Sequence, residues 1–168
     1  MRTNSLPPVV IGLSLLGGFF VSCSPDPGES NAERNKELVL TMNHEVWNEG
    51  NLAVIESLFS PSFVWHFLPD GSELEGTEAL REAVRKHREA FPDWKEQVRH
   101  IVAEDDLVVI HFESSGTNEG SWLGNPPTGR KVRINEFAIL RIEDGQIAEQ
   151  WLLPDIDGLQ RQLGLGEP

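Results

Sequence analysis

A carboxylate set among aliphatic side chains on a strand can do acid–base chemistry, and Glu136 is the best example in this sequence. Two and four places beyond it stand Ala138 and Leu140. A carboxyl in such company loses hydration, and its pKa climbs towards neutrality. It then becomes able to take a proton from carbon. Pairing with a nearby arginine, or exposure at the strand end, would remove that ability, and both stay open. The five histidines offer less. His87 falls on the apolar stripe of a helix and reads as a satisfied core residue. His100 and His111 face one another only if Asp105-Asp106 is a two-residue turn. The histidines have no metal-ligand spacing, and Cys23 is the only cysteine. No metal, cofactor or internal disulfide is therefore expected.

The elements that must position these residues follow from periodicity. Leu38, Val39, Met42, Val46 and Trp47 form a helical stripe within residues 33–48, and Asn51 can cap a short second helix over 52–59. Ser60-Pro61-Ser62 breaks the chain before a β-type run, 63–67, that ends at Pro69-Asp70-Gly71. A third helix opens at Gly76-Thr77, with Leu80, Ala83, Val84, His87, Ala90 and Phe91 inward, and stops at Pro92. Residues 94–104, 107–118, 132–143 and 146–153 then read as strands, and 155–163 as a closing helix. Helices followed by hairpin-linked strands mean α+β: a curved antiparallel sheet with three helices before it and a short C-terminal one, enclosing a pocket.

Glu143-Asp144-Gly145 fits a three-residue turn, which sets Ala138 opposite Gln150 and Glu136 opposite Leu152. Residues 136, 138, 140, 148, 150 and 152 then share one face. The other carries Phe137, Ile139, Ile147 and Trp151, an apolar patch on which a second copy could dimerise. Both faces are partly apolar, so alternation alone does not say which is inside.

The first segment has a separate purpose. Met1-Arg2 precedes an apolar stretch, 6–21, too short and too interrupted by Pro and Gly to span a bilayer. It ends in Phe20-Val21-Ser22-Cys23, which resembles the lipobox of bacterial lipoproteins. That resemblance implies cleavage before Cys23, lipid attachment on its thiol and, with Ser24 following, the periplasmic face of the outer membrane. Residues 1–22 are then a signal peptide, 23–35 a flexible tether rich in Pro, Ser, Gly and charge, and 36–165 the domain. The chain has 14 basic and 27 acidic side chains, a net charge of −13, and losing Arg2 makes it more negative. So acidic a body excludes nucleic acid and electrostatic binding to anionic lipid, both of which need basic patches. The membrane is reached through the lipid on Cys23.

Several stretches together resemble one family. They are Ala90-Phe91-Pro92-Asp93, Gly116-Thr117 with Gly120, Pro126-Pro127-Thr128-Gly129-Arg130, the run 141–149 with Trp151, and the ending 158–164. In order and spacing they are similar to the SnoaL-like polyketide cyclases, or ester cyclases, of the nuclear-transport-factor-2-like superfamily. The resemblance implies a cone of curved sheet, a largely apolar small-molecule ligand and acid–base ring closure beside a carbonyl. It also implies that the face of residues 136–152 carrying Glu136 looks into the cavity. The family's acid–base carboxylate and its supporting histidine fall here on Leu152 and Ala138. Two further histidine positions are Gln150 and Asn118. Those departures imply binding with weak or altered catalysis, or a relocated function on Glu136. By the same resemblance His66 gains a cavity role, with a structural, hydrogen-bonded histidine as the alternative; Trp47 by its helical stripe, Phe112, Ser114 and Asn118 by strand alternation, and Gln150 on the face of Glu136 are further candidate lining residues. The chain has no tyrosine, which speaks against a ketosteroid-isomerase type of site.

Overall fold

The computed structural model describes residues 30–165. The expectations for the signal segment and for Cys23 lie outside the described residues. Helix α1 (Asn31–Met42) starts inside the stretch read as a tether, because Ser30 caps it by accepting from the Glu33 amide. The helix then widens into a π-helical turn, Asn43–Asn48. A 3-10 turn, Leu52–Val54, capped by Asn51, leads into the single turn α2 (Ile55–Leu58).

Strand β1 (Phe59–Phe67) includes the Ser60-Pro61-Ser62 segment expected to be a break. Pro61 is tolerated because it lies where the pairing of β1 slips between Phe59 and Val64, so no ladder bond needs its missing N–H. The short β2 (Ser72–Glu75) was not foreseen; the turn at Pro69-Asp70-Gly71 folds it back onto β1. Helix α3 (Thr77–Ala90) buries Leu80, Val84 and Ala90. Four strands follow: β3 (Lys95–Glu104), β4 (Leu107–Thr117), β5 (Lys131–Glu143) and β6 (Gln146–Pro154). The closing α4 (Ile156–Leu163) is capped by Asp155 and ends on left-handed Gly164.

The α+β class holds, but the sheet is mixed. Its order is β2-β1-β6-β5-β4-β3, with β1 parallel to β6 and every other pair antiparallel. The helix and hairpins between β1 and β6 supply the long crossover that a parallel neighbour requires.

The β5–β6 hairpin differs in register from expectation. Asp144 and Gly145 both have positive φ, 50° and 77°, and form a two-residue turn in which Glu143 faces Gln146. A bulge between Arg141 and Ile142 then shifts the ladder again. Ala138 faces Leu152, Leu140 faces Gln150, and Glu136 faces Pro154. The face assignment survives, since both errors are even in sum. Ile134, Glu136, Ala138, Leu140, Gln150 and Leu152 all point inward and are buried.

On the outer face Phe137, Ile139 and Leu153 are exposed. Ile147, expected among them, is fully buried, because the bulge turns it inward. Trp151 is half-covered, with His66 stacked 5.1 Å away and Arg141 over its ring. The outer patch is therefore smaller than predicted and interleaved with charge. His100 and His111 also lie outside. Asp105-Asp106 is a two-residue turn, so these histidines pair across it, Nδ1 to Nδ1 at 3.0 Å.

The inner face carries two apolar clusters. One joins α1, α2 and α3 to the sheet through Val39, Val46, Ile55, Phe59, Phe63 and Val84. The other packs Phe91, Trp94, Val132 and Ile134 against Leu159 and Leu163 of α4.

Candidate functional site

Between these clusters lies a cavity of about 520 Å³, walled by side chains from both. Four of the five tryptophans reach it: Trp47, Trp65, Trp94 and Trp122. Alternation along β1 sends Trp65 and Phe67 inward opposite Gln150 and Leu152, and therefore sends His66 outward. There its Nδ1 meets Glu73 at 2.9 Å and its Nε2 lies 3.5 Å from Glu149. The cavity role expected for His66 does not fit this placement.

Asn118 is also not on the wall. It is buried as a clamp for the loop after β4, its amide donating to the Gly120 carbonyl and its Oδ1 accepting from the amide and hydroxyl of Thr128. Trp47, Phe112, Glu136 and Gln150 do line the cavity. Leu152 lines it too, and Ala138 is buried on the same face.

Glu136 occupies β5 beside Phe112 of β4, with only 6 % of its surface exposed. Its Oε1 is buried and, among the described residues, has no hydrogen-bond partner, and no lysine or arginine among them lines the cavity. Burial therefore raises its pKa to about 7, against an opposing pull from the Ser114 hydroxyl nearby. That hydroxyl makes no hydrogen bond of ordinary geometry.

A second carboxyl faces the same space. Glu96 stands on β3 opposite Ser114, so the two glutamates flank β4 on its inner side. The widened turn after α1 fixes it. Asn43 donates to its Oε2 at 2.6 Å, and Trp94 Nε1 donates to its Oε1 at 3.2 Å. Asn48 holds the Glu96 backbone from both sides, accepting from its N–H at 2.6 Å and donating to its carbonyl at 3.0 Å. Arg88 ties the frame by donating to the carbonyls of Trp47, Asn48 and Trp94. Part of the Glu96 surface is open, and that part belongs to the cavity wall. Burial, with the neighbouring charge of Glu136, pushes its pKa well above the usual carboxylate range, while the Trp94 N–H draws it down.

His87 completes the polar set. It lies among Trp47, Phe91 and Trp94 on the cavity wall, and its Nε2 is buried without a partner. It is thus not the satisfied core residue expected. Burial lowers its pKa to about 4, aided by the Arg88 charge, so the ring is neutral at pH 7. Trp65 Nε1 is likewise buried and unpartnered.

Glu96 was missed in the sequence. Trp94, Glu96 and Val98 alternate inward, a signal that was legible. The bulge after Val98 breaks the pattern before it becomes long enough to stand out. Among the described residues no cluster of three or more metal-ligating side chains occurs.

Comparison with known proteins agrees with this architecture. The sequence model of the SnoaL-like polyketide cyclases matches residues 37–163. The chain is 31% identical over 99 residues to the aklanonic acid methyl ester cyclase DnrD of Streptomyces peucetius, covering 58% of this chain and 68% of DnrD. Among solved structures, a SnoaL-like protein from Jannaschia sp. CCS1 superposes with a TM-score of 0.76 at 26% identity, over 83% of this chain and 98% of its own. TsrD from Streptomyces laurentii gives 0.72 at 28%, over 82% and 99%. With the family model spanning nearly the whole described domain, this chain belongs to the SnoaL-like polyketide cyclase family.

Proposed function

We propose that the domain binds a small, uncharged, largely apolar molecule in the cavity and transfers a proton on it, with Glu136 as the acid–base group. This is the chemistry of cyclases and isomerases that work beside a carbonyl. One observation carries the reading. A carboxyl on an apolar cavity wall, with a free oxygen and no cation beside it, is held near pH 7, where a general base is most effective. The naming of DnrD as an ester cyclase points to the same reaction type. The aromatic walls favour a flat ligand, and the acidic lining disfavours an anionic one.

The probe 5-nitrobenzisoxazole tests the base directly. Glu136 takes the proton from C3, that electron pair forms the nitrile, and the N–O bond breaks to release a coloured phenolate. We expect saturable turnover that falls on the order of 10²-fold in Glu136→Gln. Equal rates for variant and parent would reject the assignment.

The sequence before the domain supports a second element of the proposal, attachment at the cell envelope through a lipid on Cys23. Labelled fatty acid should enter the wild-type chain and not Cys23→Ser. Label retained by that variant would refute it.

A further inference from the structure

Glu96 is a carboxyl of the cavity wall that the proton transfer above leaves unused. Its carboxyl shares the cavity with Glu136, is gripped by Asn43 and Trp94, and stands on a backbone clamped by Asn48. So many contacts on one acid exceed what strand pairing needs. Ser114 lies opposite Glu96 and next to the strand of Glu136, with its hydroxyl buried and unpaired. We propose that Glu96 is a second catalytic residue: a neutral carboxyl that hydrogen-bonds the ligand's carbonyl oxygen while Glu136 takes the proton from the adjacent carbon. The substrate class is therefore a neutral ketone or related carbonyl compound with an acidic α C–H. This inference rests on the role given to Glu136 above.

The step balances without a co-reactant. Glu136 removes the α-proton, the C–H pair becomes the enol C=C, and the carbonyl π pair takes the Glu96 proton. Return of the Glu136 proton to carbon, at the same or a conjugated position, lets Glu96 recover its own. Two like charges in an apolar space do not both ionise, so the pair carries one proton near neutrality. Burial and the Glu136 charge raise the hold of Glu96 on that proton, against the pull of the Trp94 N–H. The other titratable groups on the wall are His87, neutral at pH 7, and Asp70, whose pKa is lowered by its hydrogen bonds with Ser72. Arg88 lies behind Trp94, donating to its carbonyl.

Two probes separate the two carboxyls. Hydrogen–deuterium exchange at the α-carbon of 1-indanone, followed by NMR, needs both base and acid. Elimination of 5-nitrobenzisoxazole needs only the base. For the wild type the exchange rate should be bell-shaped in pH, and the elimination rate should rise to a plateau. Glu96→Gln should lower exchange on the order of 10²-fold and abolish its alkaline limb, while lowering elimination far less than exchange. Trp94→Phe, which removes a donor that favours the charged form, should move the alkaline limb to higher pH. An exchange profile unchanged in Glu96→Gln overturns the inference, as does an equal loss of both reactions. In either case a Glu136→Gln defect in elimination would leave the role of Glu136 standing. Loss of Glu136 dependence in elimination would remove that role as well.

Discussion

Replacing Glu136 by Gln should make the protein more stable at alkaline pH while removing its proton transfer. The folded carboxyl titrates at about 7 against an ordinary 4.5, so the folded state holds its proton more tightly than the unfolded chain does. The sign follows. Stability is intact below about pH 4.5 and falls as pH rises through 7, where the buried group must ionise. At about 1.4 kcal/mol for each pKa unit, the penalty at pH 8 is on the order of 3 kcal/mol. A Gln cannot ionise, so the variant escapes it. Glu96 adds in the same direction, because part of its own raised pKa comes from the Glu136 charge. Urea unfolding read by tryptophan fluorescence at pH 4, 6 and 8 measures the difference directly. The variant should match the wild type at pH 4 and gain on the order of 3 kcal/mol at pH 8. A difference constant across pH, or a loss at pH 8, would refute the account of a desolvated, unpaired carboxyl.

Four further outcomes follow from the same geometry. His87, pulled from 6.5 to about 4 by burial, contributes stability above pH 6.5 that is lost as pH falls towards 4. His87→Phe should therefore recover roughly 3 kcal/mol relative to wild type at pH 4, and nothing of this kind at pH 7.5, by urea unfolding at both. Asn118→Ala should cost about 1–3 kcal/mol in chemical denaturation by leaving the part-buried Thr128 and Gly120 groups unpaired, with elimination of 5-nitrobenzisoxazole per folded molecule unchanged. Gly120→Ala should lower Tm by thermal scanning, since its Cβ would lie 2.1 Å from the Glu89 carbonyl oxygen; about 1–3 kcal/mol is the usual cost of overpacking. His66→Gln, on the outer face, should leave the elimination rate at the wild-type value.

Much of the site was legible before folding. The alternation that placed Glu136 with Ala138 and Leu140 fixed which side chains share a face, and the family resemblance said that this face looks inward. The helical stripe that carries Trp47 likewise named one cavity wall. His66 went wrong because β1 had no second landmark to set its parity. A run of five apolar or aromatic residues fits either face, and the pairing of Trp65 with Gln150 decided it. Asn118 looked like a lining residue by strand alternation, yet β4 ends at Thr117 and the loop beyond captures its side chain.

By itself, the sequence determined most of the succession of helices and strands and which side chains of β5 share a face, because periods of 3.6 and 2 are local properties of the chain. It also established the acidic surface and the single cysteine. The tertiary structure alone decided that Glu96 meets Glu136. These residues are 40 positions apart, on strands that β4 separates, and Glu96 owes its orientation to a widened turn after α1. A raised carboxyl pKa is a property of surroundings assembled from distant segments, so only the folded cone can set it.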